Sequence, residues 1–183
     1  GYLYNSEVTD EAEAASTMER MFGVAPGDRF SFSNYIAKNP IQDDERVFLN
    51  GNRLMFIEPM EATSTEQYVR WAGRVGQCLF DGDDLENAVE EYYKEIVEIQ
   101  NFILWHYAAG SKYDTIFWQK AKEMARSHHY DDKFFDYLNY SKDLSHIDDD
   151  EIDDEYGQWY AFSFRNWLDN TDQTTDTYWG TAA

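Results

Sequence analysis

Residues 83–110 read DDLENAVEEYYKEIVEIQNFILWHYAAG. Large, mostly apolar side chains recur in this stretch at intervals of three and four positions, at Val89, Tyr92, Ile96, Ile99, Ile103 and His106. That spacing gathers them on one face, so the stretch predicts a long amphipathic helix. Asp83 and Asp84 are expected to open the helix and Gly110 to close it, with the glutamates on the outer side.

The residues after this helix predict a mostly helical second half. Residues 115–128 and 133–144 show the same helical period. His128, the last residue of the first segment, and His129 after it are expected to form a solvated helix end. Residues 158–168 are rich in aromatic side chains and are expected to pack back on the helical bundle.

The residues at the start of the chain mix strand and helix signals. Residues 1–6 and 29–33 alternate in the way that strands do. Between them, Thr9 is expected to cap a helix that ends at Gly23. This part therefore predicts strands with one helix among them.

The residues that lead into the helical half contain a turn between two apolar runs. Residues 47–49 and 54–57 are the apolar runs, and Asn-Gly-Asn at 50–52 is the turn signal. A helical period returns over residues 65–80. The fold class expected from the sequence is α+β, with a few strands first and helices after them.

The charge and composition exclude several classes of partner. The chain has 36 acidic and 15 basic residues and a formal net charge of -21. Such a charge repels phosphate backbones and acidic lipids, so neither nucleic acid nor a membrane is an expected partner. Aromatic residues make up 17% of the chain, which predicts bulky core packing or an aromatic-lined pocket.

The sequence predicts no metal site. Cys78 is the only cysteine, and no Glu-x-x-His pair occurs. The acidic segment 148–155 lacks the ligand spacing and the glycine of a calcium loop, so we expect a surface loop there. No secretion signal and no apolar run long enough for a bilayer is visible, and a cytoplasmic location is the expectation.

One segment has the features of a chemical site. Residues 49–64 read LNGNRLMFIEPMEATS, with Glu58 and Glu61 on either side of Pro59, just before a helix. Backbone N–H groups at a helix start are suited to bind an anion, and Glu61 would lie at that entrance. The alternative is that both carboxylates only stabilise the positive end of the helix. The residues alone leave both interpretations open.

This segment resembles the Gly-Asn/Asp … Phe-(Val/Leu/Ile)-Glu-Pro-Leu-Glu-Ser-Thr-Gly stretch of the flavin-dependent tryptophan halogenase family. A second block, FILWHY at 102–107 and KYDTIFW at 112–118, is similar to the family's Asp-Phe-(Ile/Leu)-x-x-His-Tyr … Arg-x-Asp-Thr-x-Phe-Trp. A third, GYLYNS at 1–6, is similar to its Gly-Tyr-x-Tyr-Ser-Ser. The three blocks occur in the family's order and span roughly residues 1–125.

The resemblance implies a division of the chain into two regions of one larger fold. Residues 1–65 would form the end of a flavin-monooxygenase-like sheet and carry the Glu-Pro-Met-Glu motif. Residues 66–183 would form a helical region on the substrate side. The family's FAD-binding glycines, its catalytic lysine and its Trp-x-Trp-x-Ile-Pro signature lie upstream of these blocks. We therefore expect a carboxyl-terminal half, incomplete as an enzyme by itself, whose partner is the missing N-terminal FAD-binding half.

The resemblance also implies an activity and its central residues. The family uses reduced FAD from a separate flavin reductase, O2 and halide to make a hypohalous species, which halogenates an electron-rich aromatic substrate. Glu61 matches the catalytic carboxylate, which is expected to hydrogen-bond the halogenating species and accept the proton lost from the ring. The backbone N–H groups of Thr63 and Ser64 match the halide site.

Further residues match the flavin side of the family site. Gly51 and Asn52 would lie near the ribityl chain and Pro59 against the ring system. Ala62 replaces the family's usual serine, whose role is partly through its carbonyl. Ser64 replaces the usual glycine, and its Cβ puts the halide preference in doubt.

The substrate-side match comprises His106, Tyr107, Tyr113, Phe117 and Trp118. Tyr113 takes the position of a glutamate that holds the amino group in members acting on free tryptophan. Its neutral side chain supplies no countercharge, so a neutral indole or phenol is the expected substrate. Ordinary core packing at helical spacing also explains Tyr107, Phe117 and Trp118, and this alternative stays open.

Two other functions remain possible from the sequence. One is a non-catalytic helical interaction domain that kept the scaffold without flavin chemistry. The other is a flavin monooxygenase relative that hydroxylates its substrate instead of halogenating it.

Overall fold

The computed structural model describes residues 2–42, 44, 46–57, 63–109, 114–143 and 155–170. These residues form six helices, α1 Glu11–Phe22, α2 Thr63–Phe80, α3 Leu85–Ala109, α4 Ile116–Ser127, α5 Asp132–Asp143 and α6 Ala161–Asn170. They also form six short strands, β1 Tyr35–Ile36, β2 Ile41–Gln42, β3 Val47–Phe48, β4 Met55–Phe56, β5 Glu155–Tyr156 and β6 Trp159–Tyr160. The prediction of an α+β fold is confirmed.

The strands pair into antiparallel ladders, β1 with β4, β2 with β3 and β5 with β6. In the first ladder Ile36 lies opposite Met55, and the backbone N–H of Ala37 donates to the carbonyl of Leu54 at 2.8 Å. A 3₁₀ turn, Gly51–Arg53, precedes β4. The predicted apolar runs on either side of this turn are therefore confirmed as β3 and β4.

Helix α3 lies at the centre of the helical part and packs against α2, α4 and β5. The predicted stripe is buried, with Tyr92 and Ile99 at 0% exposure and Ile96 and Ile103 below 5%. Phe102 and Trp105, outside that stripe, are also buried, because neighbours cover the helix on more than one side. Among the described residues, no helix combines the length and apolarity needed to cross a bilayer.

Aromatic side chains join α3 to the last helix. The rings of Trp105 and Phe164 stack at 5.2 Å, and those of Phe102 and Trp159 stack at 4.0 Å. Phe134 of α5 packs edge-on to Trp105. These contacts confirm that residues 158–168 pack back on the bundle.

The prediction that all glutamates of α3 face solvent is wrong for two of them. Glu95 is buried, and its carboxylate binds Arg74 and accepts from Gln67 Nε2 at 2.9 Å. Arg70 lies beside this cluster and holds Glu155 of β5 through two hydrogen bonds, of 2.8 and 3.2 Å. The hydrogen bonds from Arg70 hold the pKa of Glu155 below its usual range.

Glu98 is the second buried glutamate of α3. One of its carboxylate oxygens binds Lys133 of α5, and the other accepts from the backbone N–H of Gly157 at 2.6 Å. Gly157 is the turn between β5 and β6 and has a φ of 65°, a backbone conformation that favours glycine. These acids are buried because cations and donors from distant segments pair with them.

Three predictions for the first part of the chain are wrong. The described residues of the segment 1–6 form no strand, because the Asn5 carbonyl and side chain accept from following backbone N–H groups and close a turn. Helix α1 is capped by Asp10 instead of Thr9, since Asp10 Oδ1 accepts from the N–H of Glu13 at 2.8 Å. Residues 29–33 form no strand, and the strand starts at Tyr35, where β4 supplies its ladder partner.

Candidate functional site

The turn that precedes β4 holds a glycine in the left-handed region. Gly51 has a φ of 58°, and its N–H donates to Asn50 Oδ1 at 2.7 Å. Its carbonyl accepts from the N–H of Leu54 at 2.9 Å, which closes the turn. A Cβ placed on Gly51 would meet no atom of the described residues within 4 Å. The glycine is therefore required by the backbone conformation, and the space beside it is open to another molecule.

Helix α2 fixes this turn through two aromatic side chains. The Tyr68 hydroxyl lies 2.7 Å from the carbonyl of Met55 and 3.0 Å from Asn52 Oδ1. The Trp71 Nε1–H donates to the carbonyl of Leu49 at 2.9 Å. Asn52 is exposed, so its amide can be reached by another molecule.

Ser64 ties together the two ends of the Glu-Pro-Met-Glu segment. Its Oγ accepts from the N–H of Ile57 at 3.2 Å and lies 3.4 Å from the Ile57 carbonyl, to which it can donate. Ile57 and Ser64 are both buried, as is Thr63 beside Ser64. Residues 58–62, which include the predicted Pro59 and Glu61, lie outside the described residues. The residues that flank them, Ile57 and Ser64, lie within hydrogen-bond distance of each other.

Replacing Ser64 with Ala is expected to lower the free energy of unfolding by about 1–3 kcal/mol. The substitution leaves the buried N–H and carbonyl of Ile57 without this hydroxyl. Urea denaturation measures the change. Thr65→Ala is the matched control, because Thr65 is exposed in the same turn of α2, and we expect a change below about 0.5 kcal/mol. Equal losses of stability in both variants would contradict a stabilising role for the contact between Ser64 Oγ and the backbone of Ile57.

Gln67 carries a polar atom without a partner, one turn after Thr63 and Ser64. The side chain is fully buried, and its Nε2 donates to Glu95. Because the carboxylate requires a donor, the amide orientation is determined, and Oε1 faces away from it. Gln67 Oε1 has no hydrogen-bond partner among the described residues. Such an acceptor is expected where a donor from a ligand or another segment completes a site.

The predicted substrate residues form two groups. Tyr107 packs with Phe117 and Trp118, with ring centroids 6.3 and 5.8 Å away. Thr115 holds the start of α4 in place, since its Oγ1 caps the N–H of Trp118. Tyr113 lies outside the described residues.

His106 belongs to the second group and is buried in the aromatic core. Its Nδ1 lies 2.7 Å from the carbonyl of Phe102, and its ring lies 4.0 Å from that of Trp167. The structure thus brings Tyr107, Phe117 and Trp118 together and packs His106 into the core beside them.

A cavity of about 350 Å³ lies between the strand part and α3. Ile57, the residue before the Glu-Pro-Met-Glu segment, forms one wall, and Ile103 and Leu104 of α3 form another. Tyr107 follows Ile103 and Leu104 by one helical turn. The cavity therefore extends from the end of β4 toward the helix that carries the aromatic group.

His128 borders the same cavity, and the prediction of a solvated helix end is wrong for it. The side chain is half-buried and Nε2 lies 2.8 Å from Asn101 Oδ1. Burial lowers the pKa of His128, so the ring is neutral at pH 7. His129 is exposed, as predicted. The periodicity missed His128 because its partner lies 27 positions away, on α3.

The sequence of residues 1–172 matches the tryptophan halogenase family. The chain belongs to the tryptophan halogenase family. Its function is therefore related to that of halogenases, and this family generally depends on FAD and uses halide. Neither the curated proteins nor the solved structures include a significant match to this chain.

The described residues of this family member fit a flavin and a halide. The open space beside Gly51 and the amide of Asn52 suit a polyhydroxylated chain lying across the turn. The start of α2 is a helix N-terminus, the kind of position whose backbone N–H groups suit an anion. The unpaired Oε1 of Gln67 suits a donor from a bound group.

Proposed function

We propose that this chain forms the substrate side of a flavin-dependent aryl halogenase acting on a neutral, electron-rich arene. What supports the proposal is the position of the cavity beside Ile57 and α3. One wall is Ile57, the residue that precedes in sequence the segment containing Glu61, and another is Ile103 and Leu104, one helical turn before Tyr107. An arene held there would be close to both.

Each side of the site has a separate role in this proposal. When bound, reduced FAD from a flavin reductase would react with O2 and halide to provide the hypohalous oxidant. Gly51 and Asn52 would hold the flavin's ribityl chain, and Pro59 would lie against its ring system. The backbone N–H groups of Thr63 and Ser64 hold the halide at the positive end of α2.

Glu61 completes the chemistry on the arene. The ring carbon would form a bond to the halogen of the hypohalous acid as the oxygen–halogen bond breaks and hydroxide leaves. The same carbon would then lose its proton to the Glu61 carboxylate, and that proton and the hydroxide together make water. Before that step the carboxylate accepts a hydrogen bond from the O–H of the hypohalous acid and directs it toward the ring.

The residues around Tyr107 select the substrate. Tyr107, Phe117 and Trp118 offer aromatic surface, and Tyr113 and His106 complete the group that matches the family's substrate residues. None of these side chains supplies a carboxylate for an ammonium group. Free tryptophan is therefore a poor substrate in this proposal, and a neutral indole or phenol is preferred.

Product mass spectrometry tests the proposal. The intact protein is supplied with FAD, a flavin reductase, NADH, O2 and bromide, together with an indole, a phenol or tryptophan. The expected product is a brominated indole or phenol with the bromine isotope pattern, formed faster than bromotryptophan. Oxygen incorporation without bromine would indicate a hydroxylating monooxygenase. No product from any arene would favour a non-catalytic interaction domain.

A further inference from the structure

A cluster of hydrogen-bonded polar groups adjoins the cavity at His128. Asn101 is 1% exposed and lies at the centre of this cluster. Its Nδ2 is 2.8 Å from the Tyr156 hydroxyl and 3.2 Å from Asp131 Oδ2. The Tyr156 hydroxyl in turn lies 3.4 Å from Asp131 Oδ1. A half-buried carboxylate, a buried phenol and a buried amide thus form one connected network that ends at His128.

The network determines which nitrogen of His128 carries the proton. Asn101 directs its N–H groups to Asp131 and Tyr156, because the Asp131 carboxylate only accepts. Its Oδ1 therefore faces His128 and requires a donor, so Nε2 carries the hydrogen. In a neutral imidazole the other nitrogen, Nδ1, then has the lone pair. Among the described residues, His128 Nδ1 makes no hydrogen bond.

The remaining walls of the cavity are suited to an aromatic ring. Ile57 and Ile103 are buried and apolar, and Ile36 and Leu104 are half-buried beside them. Tyr35 lies at the exposed rim together with the polar side chains Asn34 and Gln100, so the enclosed part of the wall is apolar. A volume of about 350 Å³ accommodates a molecule of one or two rings.

We infer that this cavity binds an arene bearing an O–H or N–H donor, and that His128 Nδ1 accepts the hydrogen bond from it. His128 is then a specificity-determining residue that discriminates phenol or indole from an arene of similar shape without a donor. Asn101, Tyr156 and Asp131 are positioning residues, since they act through His128. The identification of this arene as the molecule to be halogenated rests on the proposed function, whereas its binding requires neither flavin nor halide.

Nitrogen NMR of the histidine-labelled protein is the direct test. Before any ligand is added, the ¹⁵N shifts of His128 should report a neutral ring with the hydrogen on Nε2. Phenol and indole should move the Nδ1 resonance, whereas anisole and 1-methylindole should not. In the same titrations phenol should bind about 3- to 10-fold more tightly than anisole, the difference expected for one hydrogen bond. Equal affinities, no binding, or a hydrogen on Nδ1 would overturn the inference.

Two substitutions separate the hydrogen bond from the cavity itself. His128→Phe should abolish the preference for phenol over anisole, and Ile36→Phe should weaken both ligands by filling the rim. His129→Phe is the matched control, because His129 is exposed and adjacent, and it should leave the preference unchanged. Circular dichroism checks that each variant folds. A preference that persists in folded His128→Phe would also overturn the inference.

These results are independent of the halogenation assay. If phenol binds with the expected preference and no arene is brominated, the cavity assignment stands and the proposed activity fails. If arenes are brominated but phenol and anisole bind equally, the activity stands and the role of His128 is refuted.

Discussion

Glu61→Gln is expected to lower the rate of arene bromination by roughly 100-fold or more, the range for loss of a general base. Glutamine has nearly the same shape as glutamate but cannot take the proton that the ring carbon releases. The KM for the arene should change little, because the substrate contacts remain. Initial rates of product formation, measured by liquid chromatography and mass spectrometry, give both constants.

The same segment offers a matched control for this substitution. Glu58 lies on the other side of Pro59, also between the ends held by Ile57 and Ser64. If the two carboxylates only stabilise the positive end of α2, both glutamine variants should lose a similar, small amount of stability and keep their activity. A proposed catalytic role requires that Glu61→Gln lose turnover, that Glu58→Gln retain it, and that both variants fold.

Trp105→Ala is expected to destabilise the protein by about 3–5 kcal/mol, the range for truncating a fully buried tryptophan. The side chain is 0% exposed and packs against Phe164, Phe134 and Trp167. Its removal leaves a void between α3, α5 and α6 that these rings cannot fill without leaving their own contacts. Thermal and urea denaturation measure the loss.

The control for this substitution is an aromatic residue outside the core. Phe80 ends α2 and is 86% exposed, so Phe80→Ala should change the free energy of unfolding by less than about 0.5 kcal/mol. A loss at Trp105 no larger than the loss at Phe80 would contradict a core organised around α3. The stability of this core matters for the proposed site, because α3 carries both Ile103 and Tyr107.

The regular elements could be predicted because their signals are local. The apolar spacing between Tyr92 and Ile103 predicts α3, and Asn-Gly-Asn at 50–52 predicts the turn before β4. Strands were less predictable. Residues 29–33 alternate but find no ladder partner, whereas Tyr35 and Ile36 pair with β4. Strand formation depends on that distant partner, and alternation alone does not reveal it.

The candidate site was predictable in part for a similar reason. The blocks at 49–64 and 102–118 indicate the family, and the match over residues 1–172 shows it. The cavity was not predictable, since its walls come from residues as far apart as Ile36 and His128. The role of Ser64 was not predictable either. Ser64 replaces the usual glycine of the family, and its Oγ accepts a hydrogen bond from the backbone of Ile57.

The sequence by itself determined the family, the α+β class and the helical stripe of α3, because motifs and periodicity are properties of neighbouring positions. Only the tertiary structure decided that Glu95 and Glu98 are buried and that His128 joins a network with Asn101 and Tyr156. A polar side chain leaves water only where a partner replaces its lost hydrogen bonds. For these residues that partner comes from another segment, and the folded chain alone brings the two together.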